Sequence, residues 1–285
     1  MSTLPERLRS NWVAAFTPRQ RHAAHSPVAL RAVGVAIGLA ILLILMVGVL
    51  YDARVIAAAR GIGGPIHAFF GRITRLGQSD WLLIPSGAIA IIVALGDWRH
   101  VSRESAAAWR EIGTFAALLF AAVALTGITA DIIKPIVGRF RPDFVDGSHF
   151  APLMFGGYGN YSFPSGHATT MATIVVLAAF APGRWTWPIV VAAVLVGISR
   201  VMLAVHFPSD VVGGALLGGA ITYVLLRRAA DAGIGYAARP HGRIDLRFGA
   251  VRMLRRRRSL ASLLPTLWIA LTPEPRPRIP APDRQ

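Results

Sequence analysis

The chain has no cysteine among its 285 residues, so it can form no disulfide and offers no thiolate to a metal. It is also poor in charge. Asp, Glu, Lys and Arg make up 15% of it against 54% hydrophobic residues, and the mean hydropathy is +0.53. That excludes an ordinary soluble domain and points to a membrane protein. Acidic residues are the scarcer sign, 14 against 30 Lys and Arg, for a formal net charge of +16. Such a surplus suggests nucleic acid, but the basic residues lie mainly between and beyond the apolar runs, where a membrane protein carries its topology signal. No nucleic-acid partner is expected. The glycine-rich stretch Ala59–His67 has no strand before it and no GK[ST] after it, which argues against a nucleotide-type phosphate loop and leaves a turn.

What is present is a series of apolar runs. A spanning helix needs about 20 residues, and six runs approach that length: Ala32–Leu50, Trp81–Gly96, Ile112–Ile133, His167–Ala181, Trp187–Leu203 and Val211–Leu226. The second and fourth are short and must borrow flanking residues. Ala57–Ala59 imitates a signal-peptidase site, but the first run is too long and its leader too extended, so it reads as an anchor. The expectation is an all-α, six-transmembrane-helix bundle. A basic segment, 1–31, precedes a membrane domain, 32–226, and a basic, Pro- and Arg-rich tail follows over 227–285.

Arginines set the orientation. One side holds Arg7, Arg9, Arg19, Arg21 and Arg31, then Arg99, Arg103 and Arg110, Arg184, and everything from Arg227 onward. The other holds fewer, so the first side and both termini are expected in the cytoplasm of a bacterial inner membrane. Gly34-x3-Gly38 and Gly214-x3-Gly218 have the spacing that lets helices approach closely, and both are assigned to packing. Arg252–Leu271 joins a basic cluster to an apolar stretch interrupted by Pro265. It reads equally as a segment on the anionic inner leaflet or as a solvated tail, and 273–285 reads as disordered.

Polar residues on the outer side fall into three groups, each at the end of a span. Lys134–Pro142 leaves the third, Pro164–His167 enters the fourth, and Ser199–Asp210 joins the fifth to the sixth. Spans alternate in direction, so the three groups meet at one level. Lys134, Arg139 and Arg141 are cations at a depth where charge is costly and lines an aqueous pocket or meets an anion, unless it merely snorkels. Ser165 is placed as an N-cap, with Gly166 and His167 in the first helical turn, where backbone N–H groups and close approach suit an anion. His206 precedes Pro208 and stands four residues before Asp210, a spacing that lets a carboxylate orient an imidazole or simply cap a helix. Two histidines, a carboxylate and at least three cations together form a phosphate site with a nucleophile and an acid. Asp131, one turn before Lys134, is placed to pair with a cation or reach the interface. His22, His25, His67, His100, His149 and His241 have no such company.

Lys134-x6-Arg141-Pro142, Pro164-Ser165-Gly166-His167 and Ser199-Arg200-x5-His206-x3-Asp210 resemble the three-part signature of the type 2 phosphatidic acid phosphatase superfamily. Ile73–Gly87 also resembles the approach to the second span in bacterial members. The resemblance implies metal-independent, cofactor-free hydrolysis of a phosphorylated membrane lipid: phosphatidic acid, phosphatidylglycerol phosphate, a prenyl diphosphate or a lipid A phosphate. It implies His206 as nucleophile, Asp210 holding its ring, and His167 as acid and then base. Lys134, Arg141, Ser165, Gly166 and Arg200 would hold the phosphoryl group. A phosphotransferase of the same superfamily is the alternative; a soluble haloperoxidase and a transporter fit less well, since polar groups gather at one end of the spans.

Overall fold

The computed structural model describes residues 4–16, 30–143, 149–153, 160–181, 186–239, 244–256 and 263–272. Among these, α1 (Leu4–Phe16) precedes α2 (Leu30–Val47), which runs through a π-helical turn at Gly48–Asp52 into α3 (Ala53–Arg60). The chain turns at Gly61–Gly63 and re-enters a helix, α4 (Gly64–Ile73), with Pro65 in its first turn, where a missing N–H is harmless. The turn expected at Ala59–His67 is there but shorter, and α4 was not expected. A 3-10 turn, Thr74–Gly77, leads to α5 (Asp80–Leu95).

α6 (Arg103–Val137) is the axis of the molecule. Ser102 caps it by accepting the Ser105 N–H at 3.2 Å. It ends at Gly138, whose φ of 63° suits glycine, and a β-carbon there would lie 2.0 Å from the Ala151 carbonyl oxygen. α7 (Gly166–Ala179) and α9 (Pro208–Asp231) pack against α6, and α8 (Thr186–Met202) packs on α7 and α4. Among the described residues, four helical stretches are long and apolar enough to cross a membrane: Arg31–Arg60, Gly64–Leu95, Arg103–Val137 and Pro208–Asp231. The runs expected as spans four and five are the shorter helices α7 and α8, with 14 and 17 residues. At 1.5 Å per residue α7 covers only about 21 Å. Run two gains its length by adding α4 before it.

α7 compensates by packing tightly. A β-carbon on Gly214 would stand 2.3 Å from the Ser165 carbonyl oxygen, and one on Gly218 2.3 Å from that of Thr169, so this pair does bring α9 against α7. Gly34 and Gly38 meet nothing within 4 Å, and the packing role expected for them is not seen among the described residues. Hydroxyls of Thr126, Thr173 and Thr222 join α6, α7 and α9 in a buried ladder with steps of 3.1 and 3.2 Å.

The segment after the last expected span is folded where described. α9 continues past Leu226 to Asp231. A two-stranded antiparallel hairpin follows, β1 (Tyr236–Ala238) and β2 (Ile244–Leu246). Fully buried Tyr236 packs with Leu118, Ala122, Leu177 and Leu226, so the hairpin closes that end of the bundle. α10 (Gly249–Arg256) and α11 (Leu263–Leu271) come next; Leu263 and Ala270 join the Trp98–Trp109 cluster. Pro265 lies in the first turn of α11 and does not interrupt it. The N-terminal segment also docks: Asn11 Nδ2 donates to the Ala94 and Gly96 carbonyls that end α5, at 2.9 Å each. Residues 273–285, expected to be disordered, lie outside the described residues.

Candidate active site

The three polar groups meet at one end of α6, α7, α8 and α9. Past Gly138 the chain is extended and held on both sides. Phe140 N–H donates to the His149 carbonyl and Arg141 N–H to that of Asn160, both at 2.9 Å, while Ser162 N–H donates to that of Arg139 at 2.7 Å. Alternate residues of an extended strip share a face, which suits the turn of Arg139 and Arg141 toward the helix ends.

Arg139, expected only as a cation near the membrane, is the centre of a buried network. Its Nη1 reaches Asp210 Oδ1 at 2.7 Å and Ser209 Oγ at 2.7 Å, and its Nη2 reaches Asp52 Oδ2 at 2.8 Å. Asp52 in turn accepts the Ser209 N–H at 3.0 Å and the Ser209 hydroxyl at 2.5 Å. The guanidinium also lies 3.8 Å from the Phe207 ring centroid. Asp52 is 4% exposed, Arg139 7% and Asp210 0%. The π-helical turn brings Asp52 here, and such one-turn bulges recur at functional sites. Sequence reading missed Asp52. The available signal was a lone carboxylate at the end of an otherwise uncharged apolar run.

Asp210 therefore serves more than one partner. Besides the Arg139 bond, its Oδ2 accepts the Phe207 N–H at 2.8 Å, capping α9. Its Oδ2 stands 3.6 Å from His206 Nδ1, beyond hydrogen-bond length. The expected hold of Asp210 on the imidazole is thus an approach rather than a bond. Asp210's backbone carbonyl receives the Ser165 N–H at 3.0 Å, which ties the start of α7 to that of α9. His206 itself is 2% exposed, at the end of a turn in which Ala204 takes φ of 52°. Burial holds its imidazole below the ordinary pKa, against the opposing pull of Asp210, so the ring is neutral near pH 7.

Ser165 occupies the N-cap position of α7, following a cis Phe163–Pro164 bond, but its hydroxyl makes no capping bond. That Oγ is buried without a partner among the described residues, as are Arg200 Nε and His206 Nδ1. Lys134 pairs with Asp131 at 2.6 Å, one of the alternatives open to that carboxylate. Its Nζ lies 4.0 Å from where a β-carbon on Gly166 would stand, so it overhangs the start of α7. Arg200, at the last turn of α8, donates to Thr74 Oγ1 at 2.7 Å, and Arg141 Nε to the Tyr161 carbonyl at 3.3 Å. Lys134, Arg141, Arg200 and His206 all act electrostatically on His167. A β-carbon on Gly77 would come within 2.8 Å of the His167 ring, so the 3-10 turn walls the imidazole in. The assembly can do acid–base and nucleophilic chemistry on an anion, with fixed cations for developing charge.

A family model described as the PAP2 superfamily matches residues 115–233, from inside α6 to just past α9. The chain is 30% identical over 195 residues to a lipid A 1-phosphatase of Rhizobium etli, covering 68% of this chain and 83% of that protein. It is 33% identical over 117 residues to an undecaprenyl-diphosphatase of Sulfolobus acidocaldarius, 40% of this chain and 54% of that one. Among solved structures, a transmembrane PAP2-type phosphatidylglycerolphosphate phosphatase from Bacillus subtilis aligns with a TM-score of 0.45 at 28% identity, covering 65% of this chain and 92% of that one.

Proposed function

The chain belongs to the PAP2 superfamily and is a phosphatase of lipid phosphates, and we propose that it cleaves a phosphomonoester or diphosphate without a metal, through a phosphohistidine on His206. In this mechanism His206 Nδ1 carries its proton on the Asp210 side, leaving the Nε2 lone pair to attack phosphorus. The N–P bond forms as the P–O bond to the lipid breaks, and His167 gives a proton to the departing oxygen. Water then attacks the phosphohistidine and yields a proton to His167, and phosphate leaves as the N–P bond breaks. Lys134, Arg141, Arg200, the Ser165 hydroxyl and the backbone N–H groups from Gly166 onward hold the non-bridging oxygens, an electrostatic task often given to magnesium.

The observation that carries this reading is the meeting of two histidines and three cations where Ser165 Oγ and Arg200 Nε have no protein partner among the described residues. The arginine distribution supports cytoplasmic termini and a site facing the periplasm or exterior. At that depth a head group reaches the cations while its tail stays in the bilayer. The lipid A 1-phosphatase and undecaprenyl-diphosphatase relatives favour a lipid A 1-phosphate and a prenyl diphosphate as the first substrates to test. Phosphatidic acid and phosphatidylglycerol phosphate complete the panel.

Phosphate release by the purified protein in detergent with EDTA tests the proposal. Wild type is expected to release phosphate, and His206→Ala and His167→Ala to release none. Full activity in His206→Ala, or activity restored only by added metal, overturns it. Labelled phosphate trapped on wild type without release would instead assign a phosphotransferase.

A further inference from the structure

At the other end of α6 the chain builds a second polar cavity, of about 560 Å³. Arg110, which lines it, precedes Lys134 by 24 residues of one helix, roughly 36 Å along the axis, so the two sites are separate. α6 forms one wall, and the hairpin and the start of α10 form the other. Most of the second wall lies beyond residue 233, where the family match ends.

The charged lining is Arg110, Glu111, Arg239, Asp245, Arg247 and Arg252. Both carboxylates are committed. Asp245 takes Arg239 Nε at 3.0 Å. Glu111 accepts the Ala250 and Val251 N–H groups at 3.1 Å each, capping α10. Arg247 spends one bond on the Gly233 carbonyl at 3.2 Å. Among the described residues no carboxylate pairs with Arg110, Arg247 or Arg252. Arg110 Nε is buried and has no hydrogen-bond partner among the described residues. A buried guanidinium nitrogen left unpaired is costly, and with the part-buried Arg247 and the exposed Arg252 lining the same void beside Arg110, the three guanidinium groups call for an anion. Their planar forks suit phosphate.

The cavity is also placed for a lipid. α11 is held by Trp109 Nε1, which donates to the Leu263 carbonyl at 3.3 Å and to Thr266 Oγ1 at 3.2 Å. It turns Trp268 outward at 72% exposure and Leu264 at 71%. An exposed Trp–Leu face beside a basic helix is the pattern of a segment seated at head-group depth. That favours the membrane reading of Arg252–Leu271 over a solvated tail. The volume lies within the range of small-molecule sites and exceeds what a bare phosphate fills.

We infer that this cavity binds a phosphate group, gripped by Arg110, Arg247 and Arg252 and carried by the head group of an acidic phospholipid. On the orientation proposed above, the leaflet is the inner one. Free phosphate shares the same chemistry, and the test separates the two. The full chain in detergent is titrated with dihexanoylphosphatidylglycerol, dihexanoylphosphatidylcholine or inorganic phosphate, and the thermal midpoint is followed.

The phosphatidylglycerol should raise the midpoint of wild type and, equally, of Arg141→Gln, whose change lies at the other site. Phosphatidylcholine should not. Arg110→Gln and Arg252→Gln should each weaken the apparent affinity about tenfold, the loss of one charge-assisted contact. Arg252 is exposed on α10, so its variant keeps the test valid if Arg110→Gln fails to fold. A rise with inorganic phosphate that the same variants weaken would assign the site to the free anion. A rise that survives both arginine variants, or vanishes in Arg141→Gln, or no rise with either phosphate ligand, overturns the inference.

Discussion

Replacing Arg139 with methionine should damage this protein more than any single change at its accessible cations. The side chain is 8% exposed and bonds two carboxylates, Asp52 and Asp210, at 2.8 and 2.7 Å. Methionine keeps the volume but strands both negative charges in the bundle. Removing one partner of a buried ion pair costs about 3–5 kcal/mol. For a chain of this size that is a fall of roughly 6–20 °C in thermal midpoint. Asp210 also loses the bond that fixes Oδ1, and a shift of about 1 Å in a catalytic group is worth on the order of 10²-fold in rate. Asp52→Asn should cost less, because it leaves Arg139 and Asp210 as a charge-balanced pair and the amide oxygen can still accept the Ser209 N–H, although Arg139 Nη2 loses its acceptor. The two variants share one network, so their effects should fall short of additive in the double variant by at least about 0.5 kcal/mol. Thermal denaturation in detergent and phosphate release read both quantities. An Arg139→Met protein within about 2 °C and about threefold of wild type would refute the clamp, since surface changes stay in that range.

Other expectations follow from single contacts. Gly77→Val puts a β-carbon 2.8 Å from the His167 ring and 2.7 Å from Val196; activity should fall by about 10²-fold, read as kcat at saturating substrate, with an overpacking cost of about 1–3 kcal/mol in stability. Gly218→Ala sets a β-carbon 2.3 Å from the Thr169 carbonyl oxygen, and overpacking of that kind costs about 1–3 kcal/mol in thermal or denaturant unfolding. Tyr236 Oη is buried with no partner among the described residues, so Tyr236→Phe should leave the thermal midpoint equal or higher. Hydrogen bonds from Arg99 hold the Asp97 carboxyl down to about 2. A depressed carboxylate contributes stability that is present above its ordinary value near 3.8 and is lost as pH falls toward 2. The gap in midpoint between wild type and Asp97→Asn should therefore close across that window; a constant gap would remove the role.

The parts of the fold that could be read from sequence are those whose signal is local. α6 and α9 carry long apolar runs bounded by charge, and the three polar groups each border a run, so their meeting at one end follows from alternating direction. What escaped is held by distant partners. α4 is ten residues with a glycine at each end of its apolar stretch and reads as loop until α8 packs on it. The hairpin has three-residue strands, too short for alternation to register. It is fixed by Tyr236 filling a gap among Leu118, Leu177 and Leu226, residues from three helices. Asp52 and Arg139 lie 87 positions apart, and no spacing rule connects them.

The candidate residues named from sequence divide by what the protein itself satisfies. Lys134 has Asp131, Asp210 has Arg139 and the Phe207 N–H, and Arg141 has a carbonyl. Among the described residues Ser165 Oγ, Arg200 Nε and His206 Nδ1 have no such partner, although all three are buried. Native interiors pair nearly all such atoms, so three together without a partner among the described residues are what a bound phosphoryl group and its reaction would have to serve. In the proposed mechanism a phosphoryl oxygen serves Ser165 and Arg200. The third atom has a different resolution. Asp52 and Asp210 carry two negative charges against the one positive charge of Arg139, leaving one beside His206. Phosphorylation at Nε2 with the proton kept on Nδ1 makes the ring cationic and draws it across the 3.6 Å to Asp210 Oδ2. A bond that is long before reaction and shortens as charge appears stabilises the intermediate more than the resting state, which is the direction catalysis requires. On this account Asp210→Asn should lower the yield of trapped phosphohistidine while leaving binding of a lipid phosphate to His206→Ala background protein unchanged. Equal yields of phosphohistidine in wild type and Asp210→Asn would show that the carboxylate only caps α9.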